Sequence, residues 1–146
     1  MSESQLYFDD VSTGDAIPEA SAAPSELQIF FFSAATNNGH RIHYDLPYAK
    51  TEGLPNILVQ GPLQAALLAK TLTDWIGPGG RLTRIQIQNR GNAFPNEKLS
   101  YGGVVVGKRE EEGQLLVDCD IFERNESGAV LMPGTATVSL PRRPRA

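Results

Sequence analysis

The sequence predicts an α+β fold in which one long buried helix lies against a single antiparallel sheet. Three observations lead there. Residues 62–76 carry alanine and leucine on nearly every side of a helical wheel, the pattern of a helix enclosed by protein. Residues 81–140 hold four stretches of strand character separated by turn residues. The 146 residues suit one domain with a core of real size. A helix apolar on most sides, and strands apolar on one, must bury those surfaces against each other, which gives packed layers.

Each element has its own signal. Residues 5–18 read as an extended entry segment with a turn at Thr13-Gly14-Asp15. Ser21 or Ser25 can cap a helix whose first turn suits Pro24, and Leu27, Phe30, Phe31 and Ala34 follow at helical spacing to about Ala35. The pattern then breaks. Thr36 to Asp45 is polar, contains Asn38-Gly39 and both histidines, and reads as a loop. Residues 47–52 suit one short helical turn, and the apolar run Ile57-Leu58-Val59 leads to Gln60-Gly61-Pro62. Pro62 opens the long helix at a position where its missing N–H costs nothing, and Gly77-Pro78-Gly79-Gly80 ends it after about Ile76.

The rest is strand. Residues 81–90 alternate around Leu82, Ile85 and Ile87. Residues 98–108 and 114–124 flank a charged turn, Glu110-Glu111-Glu112-Gly113, with Leu115, Val117, Cys119 and Ile121 on one face. Residues 129–140 form the last strand, where Pro133-Gly134 suggests a bulge or a sheet edge. On this reading the first half is helical and the second half is sheet.

Composition excludes several functions. The net charge of −4 gives nucleic acid no nonspecific attraction. Arg142, Arg143 and Arg145 form the only basic cluster and read as a solvated, disordered tail, so the expected domain is 1–141 with a tail at 142–146. Cys119 is the single cysteine, which rules out an intramolecular disulfide and fits a reducing cytoplasm. Asp118 and Asp120 beside it oppose a reactive thiolate. No apolar run approaches the roughly 20 residues of a membrane span, and the acidic start lacks a signal-peptide pattern.

Chemistry concentrates in two places. The first holds His40 and His43, the only histidines, among Asn37, Asn38, Arg41, Tyr44 and Asp45. Histidine is the side chain whose ordinary pKa lies nearest neutrality. Three readings compete: a solvated surface loop, a metal site with Asp45 as third ligand, and general acid/base catalysis by one histidine. No further Cys or His can close a structural metal site, so no metal is expected. The second place is Gln60-Gly61-Pro62-Leu63, where the unpaired N–H groups of a helix start favour negative charge and Gly61 admits a ligand close to the backbone. A plain strand-to-helix turn is the alternative there.

The string from Ser33 through Thr36-Asn37-Asn38-Gly39-His40-Arg41-Ile42-His43 to Tyr44-Asp45 resembles the motif region of MaoC-like enoyl-thioester hydratases. The broad pattern there is Gly-Asp-x-Asn-Pro-(Ile/Leu)-His, with Ile42-His43 matching directly and Asn38 at the position of the catalytic Asp. The run His40 to Asp45, then Tyr48-Ala49, Glu52-Gly53, Pro55 and Val59-Gln60-Gly61-Pro62-Leu63, is similar to a subgroup of mitochondrial-type 3-hydroxyacyl-thioester dehydratases and mesaconyl-C4-CoA hydratases. The resemblance is specific over residues 33–68 and weaker over the rest.

That resemblance implies a hotdog fold, a long central helix wrapped by a curved antiparallel sheet. It implies a hydro-lyase acting on an enoyl or 3-hydroxyacyl thioester of coenzyme A or acyl carrier protein, with no cofactor beyond the coenzyme A or phosphopantetheine that the substrate carries. In its terms His43, Asn38 and Gly61 are the catalytic set. His40, Arg41, Tyr44, Asp45, Gln60, Pro62 and Leu63 contact substrate or support the site, and Arg41 meets either a coenzyme A phosphate or a surface ion partner. A carboxamide such as Asn38 takes no proton at neutral pH, so either His43 performs both proton transfers, or Asp45 helps, or the activity is reduced. A homodimer, or a heterodimer with a related hotdog chain, is the expected assembly. A hotdog thioesterase and a non-catalytic, partner-dependent subunit are the alternatives.

Overall fold

A computed structural model describes residues 4–144. The chain enters through a 3₁₀ turn (Phe8–Asp10) and an edge strand β1 (Ala16–Ala22). Helix α1 (Glu26–Ala35) starts at Ser25, whose hydroxyl accepts from the Gln28 N–H at 3.2 Å. A 3₁₀ turn (Arg41–His43) and the short α2 (Leu46–Thr51) precede the central helix α3 (Gly61–Ile76). Strands β2 (Arg81–Ile87), β3 (Leu99–Glu111), β4 (Gln114–Arg124) and β5 (Val130–Ser139) complete one antiparallel sheet in the order β1-β3-β4-β5-β2. The expected helix-on-sheet architecture is therefore observed.

The core lies between α3 and the sheet. Leu68, Leu72 and Ile76 pack in one cluster with Leu99, Val105, Val117, Cys119 and Val138. At about 25 cal/mol per Å² of apolar surface, burial of this kind is the main stabilising term. The far end of α3 is strapped by Gln5, which donates to the Ile76 carbonyl at 3.0 Å and accepts from the Gly79 N–H at 2.6 Å. Among the described residues no helix is long and apolar enough to cross a membrane.

Four expectations need correction. The first half is not purely helical, because Ala16–Ala22 forms β1 against β3. Its small residues and Pro18 hide the alternation, and Pro18 is tolerated because the register slips between Ile17 and Ala20 on an edge strand. Helix α1 exists as expected but buries Ile29 and Ser33, while Leu27, Phe30 and Phe31 face outward. Helix α3 is buried on one face only, leaving Pro62, Ala66, Lys70 and Asp74 exposed. Strand β5 is interior rather than an edge, since it pairs with both β4 and β2. Gly134 makes this possible: a Cβ there would lie 2.2 Å from the Gln86 carbonyl oxygen.

The expected hairpin is present, with β3 running on to Glu111 and a two-residue turn at Glu112-Gly113. Both turn residues have positive φ (50° and 78°), as a twist-matched hairpin turn requires. In the basic C-terminal segment, Arg142 pairs with Glu110 and Arg143 with Asp10. Arg145 and Ala146 lie outside the described residues.

Candidate active site

The polar segment between α1 and α2 is an ordered turn held at several points. Asn37 adopts φ 53°, a left-handed conformation that asparagine tolerates better than most residues. It reverses the chain so that the Asn38 N–H reaches the Ser33 carbonyl at 2.9 Å. The Asn38 side-chain oxygen then accepts from the His40 N–H at 3.2 Å, and the His40 ring nitrogen Nδ1 accepts from the Ile42 N–H at 3.4 Å. The 3₁₀ turn that follows points His43 inward, where it is 8% exposed.

His43 docks on the segment that leads into α3. The Leu58 N–H donates to the Ile42 carbonyl at 3.0 Å, and the Leu58 carbonyl lies 2.9 Å from His43 Nδ1. A carbonyl oxygen only accepts, so Nδ1 carries the proton and Nε2 of the neutral ring holds a free lone pair. Burial lowers the His43 pKa from its ordinary 6.5; the Leu58 carbonyl works against that shift and nearby His40 adds to it. The ring is thus neutral at neutral pH, the state a general base requires.

Three residues after Leu58, Gly61 opens α3. Its N–H belongs to the first turn, which has no intrahelical acceptors, and the helix dipole places partial positive charge there. A Cβ at Gly61 would lie 2.9 Å from the Asn89 side-chain nitrogen, so glycine keeps this corner open. Asn89 itself was not anticipated. It follows β2 in a segment that fastens to the sheet through Gln88 N–H to Pro133 O (3.0 Å) and Arg90 N–H to Leu131 O (2.8 Å). Only tertiary structure brings it beside the helix tip.

The remaining expected residues divide by role. His40 is exposed, with its ring centroid 6.1 Å from that of His43 and 6.4 Å from that of Tyr48. Arg41 donates twice to Asp45, at 3.0 and 2.6 Å, and stacks 4.4 Å over the Tyr48 ring. Asp45 also caps α2 by accepting from the Tyr48 N–H at 3.0 Å. Its carboxyl is held below the ordinary value, chiefly by that N–H and then by Arg41, so it stays ionised and occupied. Tyr44 donates to the Gly39 carbonyl at 3.0 Å. Gln60 and Leu63 are buried and Pro62 is exposed.

A hollow of about 230 Å³ opens beside Asn38, walled by Phe30, Ala34, Gly39 and Tyr44. Cys119 is buried inside the sheet and its thiol is pushed up to about 12, by burial first and then by Asp118 and Asp120, so it offers no thiolate. Among the described residues no three His, Cys, Asp or Glu side chains converge to hold a metal ion.

The chain resembles known proteins in both sequence and shape. It is 53% identical over 55 residues to the mesaconyl-C(4)-CoA hydratase of Chloroflexus aurantiacus, a stretch covering 37% of this chain and 19% of that protein. In both curated relatives matched, the shared stretch is less than a third of the relative's length. The fold superposes on the unliganded R-hydratase PhaJ1 from Pseudomonas aeruginosa with a TM-score of 0.85 at 19% identity, covering 95% of this chain and 88% of that one. A chain of the ChsH1-ChsH2 complex from Mycobacterium tuberculosis superposes with a TM-score of 0.78 at 21% identity, covering 88% and 98%. These likenesses place the fold among the hotdogs. The model of the hydroxyacyl-thioester dehydratase type 2 family matches residues 9–94, the stretch that contains the Asn38 turn, the buried His43 and the Gly61 helix tip. The chain belongs to that family.

Proposed function

We propose that this protein reversibly dehydrates 3-hydroxyacyl thioesters to enoyl thioesters, acting as a hydro-lyase. One observation carries the reading: His43 donates through Nδ1 to Leu58, three residues ahead of Gly61, so a neutral base and an oxyanion-stabilising helix tip share one short segment. In dehydration, His43 Nε2 takes the proton from the carbon beside the thioester carbonyl. The Gly61 N–H holds the negative charge that gathers on the carbonyl oxygen. The bond to the 3-hydroxyl breaks, the carbon–carbon double bond forms, and the proton on Nε2 passes to the departing hydroxyl as water. Hydration runs these steps backward. Asn38 orients the hydroxyl or water with its side-chain amide. Because Asp45 is committed to Arg41 and the α2 cap, His43 serves as the single acid and base.

The acyl group is delivered on coenzyme A or on a carrier protein's phosphopantetheine, with no cofactor of the protein's own. A homodimer is the proposed assembly, with a heterodimer of related chains as the variant. Edge strand β2 supports this, since among the described residues it pairs with β5 alone and leaves its other edge open to a second sheet. The buried lone cysteine suits a cytoplasmic setting.

The test is a spectrophotometric assay of purified protein with crotonyl-CoA, with free thiol followed in parallel. Hydration without thiol release is expected. Thiol release without hydration points to a thioesterase. Inertness alone, relieved by a second hotdog chain, points to a partner-dependent subunit.

A further inference from the structure

We infer that Gln60 is a positioning residue whose buried carboxamide fixes the Asn38 turn relative to His43 and Gly61. This rests on the reading of the site given above. Gln60 is fully buried (0% exposed), and its Nε2 donates to the Ile29 carbonyl at 2.7 Å and to the Ser33 hydroxyl at 2.8 Å. Both acceptors belong to α1, and Ile29 and Ser33 are the two residues that α1 buries. Gln60 thus grips α1 on its inward stripe, where Phe32 also packs against the core, while Leu27, Phe30 and Phe31 are exposed.

The grip passes directly to the site. Ser33 uses its hydroxyl for Gln60 and its carbonyl for the Asn38 N–H at 2.9 Å, and Asn38 in turn holds the His40 N–H. On the other side, Gln60 stands between Leu58, which holds His43 Nδ1, and Gly61, which opens the helix. One four-residue segment therefore controls all three catalytic candidates.

Stability alone does not account for a glutamine here. Its Oε1 is buried and has no hydrogen-bond partner among the described residues. A buried acceptor left unpaired is destabilising, a cost that an apolar side chain of similar volume avoids.

The experiment compares Gln60→Met with the full wild-type chain, each with and without Asn38→Ala, by crotonyl-CoA kinetics and by backbone amide exchange. Gln60→Met is expected to lower kcat by about 10–100-fold with KM within about threefold, as a small misplacement of catalytic groups does. Exchange at the Asn38 N–H is expected to quicken by about tenfold or more as Ser33 loosens. In the Asn38→Ala background the same substitution should lower kcat by less than about threefold, since the group being positioned is gone. Gln60→His, which keeps a ring N–H donor, should restore most of the rate.

Equal losses of kcat in both backgrounds, or unchanged exchange at Asn38, overturn the inference and leave Gln60 a core residue. If Gln60→Met fails to fold, Ser33→Ala cuts the same link at its other end and is read the same way. If the wild-type chain hydrates no enoyl thioester, the functional reading fails. Amide exchange then still decides whether Gln60 fixes the turn.

Discussion

His43 Nδ1 and the Leu58 carbonyl oxygen stand 2.9 Å apart, and this contact fixes both the tautomer and the direction of the imidazole. The free Nε2 is the base. His43→Asn should lower kcat by about 10²–10⁴-fold, the usual worth of general acid/base catalysis, while the protein stays folded. Burial lowers the His43 pKa from 6.5, so the rate of dehydration should be flat at neutral pH and fall only on the acid side, with a midpoint below 6.5. A pH–rate profile rising through a midpoint above 7 would remove His43 as the base. The same shift affects stability. The folded ring resists protonation, so its contribution is present above pH 6.5 and is lost as pH falls through the lower folded value.

Glu123 should act in the opposite sense. It is fully buried on β4, paired in register with Tyr101 of β3, and neither of its carboxyl oxygens has a hydrogen-bond partner among the described residues. Burial raises its carboxyl from 4.5 to about 7, the neighbouring Tyr101 hydroxyl works against that rise, and the negative charge of Glu97 adds to it. The folded state therefore holds a proton that the unfolded chain releases. The stabilisation is full below pH 4.5 and is lost as pH rises through about 7. Glu123→Gln should raise stability at pH 8 by on the order of 2 kcal/mol and change it little near pH 4. Urea denaturation at the two pH values checks this; equal effects at both would refute it.

Gly61→Ala should separate folding from activity. The new Cβ meets the Asn89 side-chain nitrogen at 2.9 Å, and Asn89 is exposed enough to swing aside. Alanine also suits a helix better than glycine by up to about 1 kcal/mol, so stability should hold or rise. The methyl group and the displaced amide intrude on the corner where the thioester oxygen is proposed to sit. Turnover should fall by about 10²-fold, near the worth of one oxyanion donor. Thermal melting beside steady-state kinetics gives the answer, and unchanged turnover would move the oxyanion site away from Gly61.

Asp45→Ala should lower the thermal melting temperature, since it removes the α2 cap, and should loosen the Arg41 contact as well. Asp45→Asn keeps a capping oxygen and should cost less. Because Arg41 is already engaged by Asp45 and Tyr48, Arg41→Ala should leave KM for a coenzyme A thioester within about twofold, as an exposed pair contributes little. A tenfold rise in KM would instead place Arg41 against the coenzyme A phosphates.

Much of this protein is determined by sequence alone. The Ala/Leu-rich stretch after Pro62, the alternation from Leu115 to Ile121 and the Glu112-Gly113 turn are local patterns, so α3, β4 and the hairpin were legible within a few residues. The histidine-bearing segment was legible because its residue types are chemically distinctive. What sequence did not disclose depends on partners far along the chain. Strand β1 exists because β3 pairs with it, and β5 is interior because β2 closes on it from about fifty residues earlier. The inward face of α1 carries Ile29 and Ser33, which meet Gln60, with Phe32 packed beside them, and not Phe30 and Phe31. Asn89 reaches Gly61 only once the sheet has folded around α3. Periodicity records which residues prefer burial, whereas long-range pairing decides which surfaces meet, and the second depends on contacts that no local window contains.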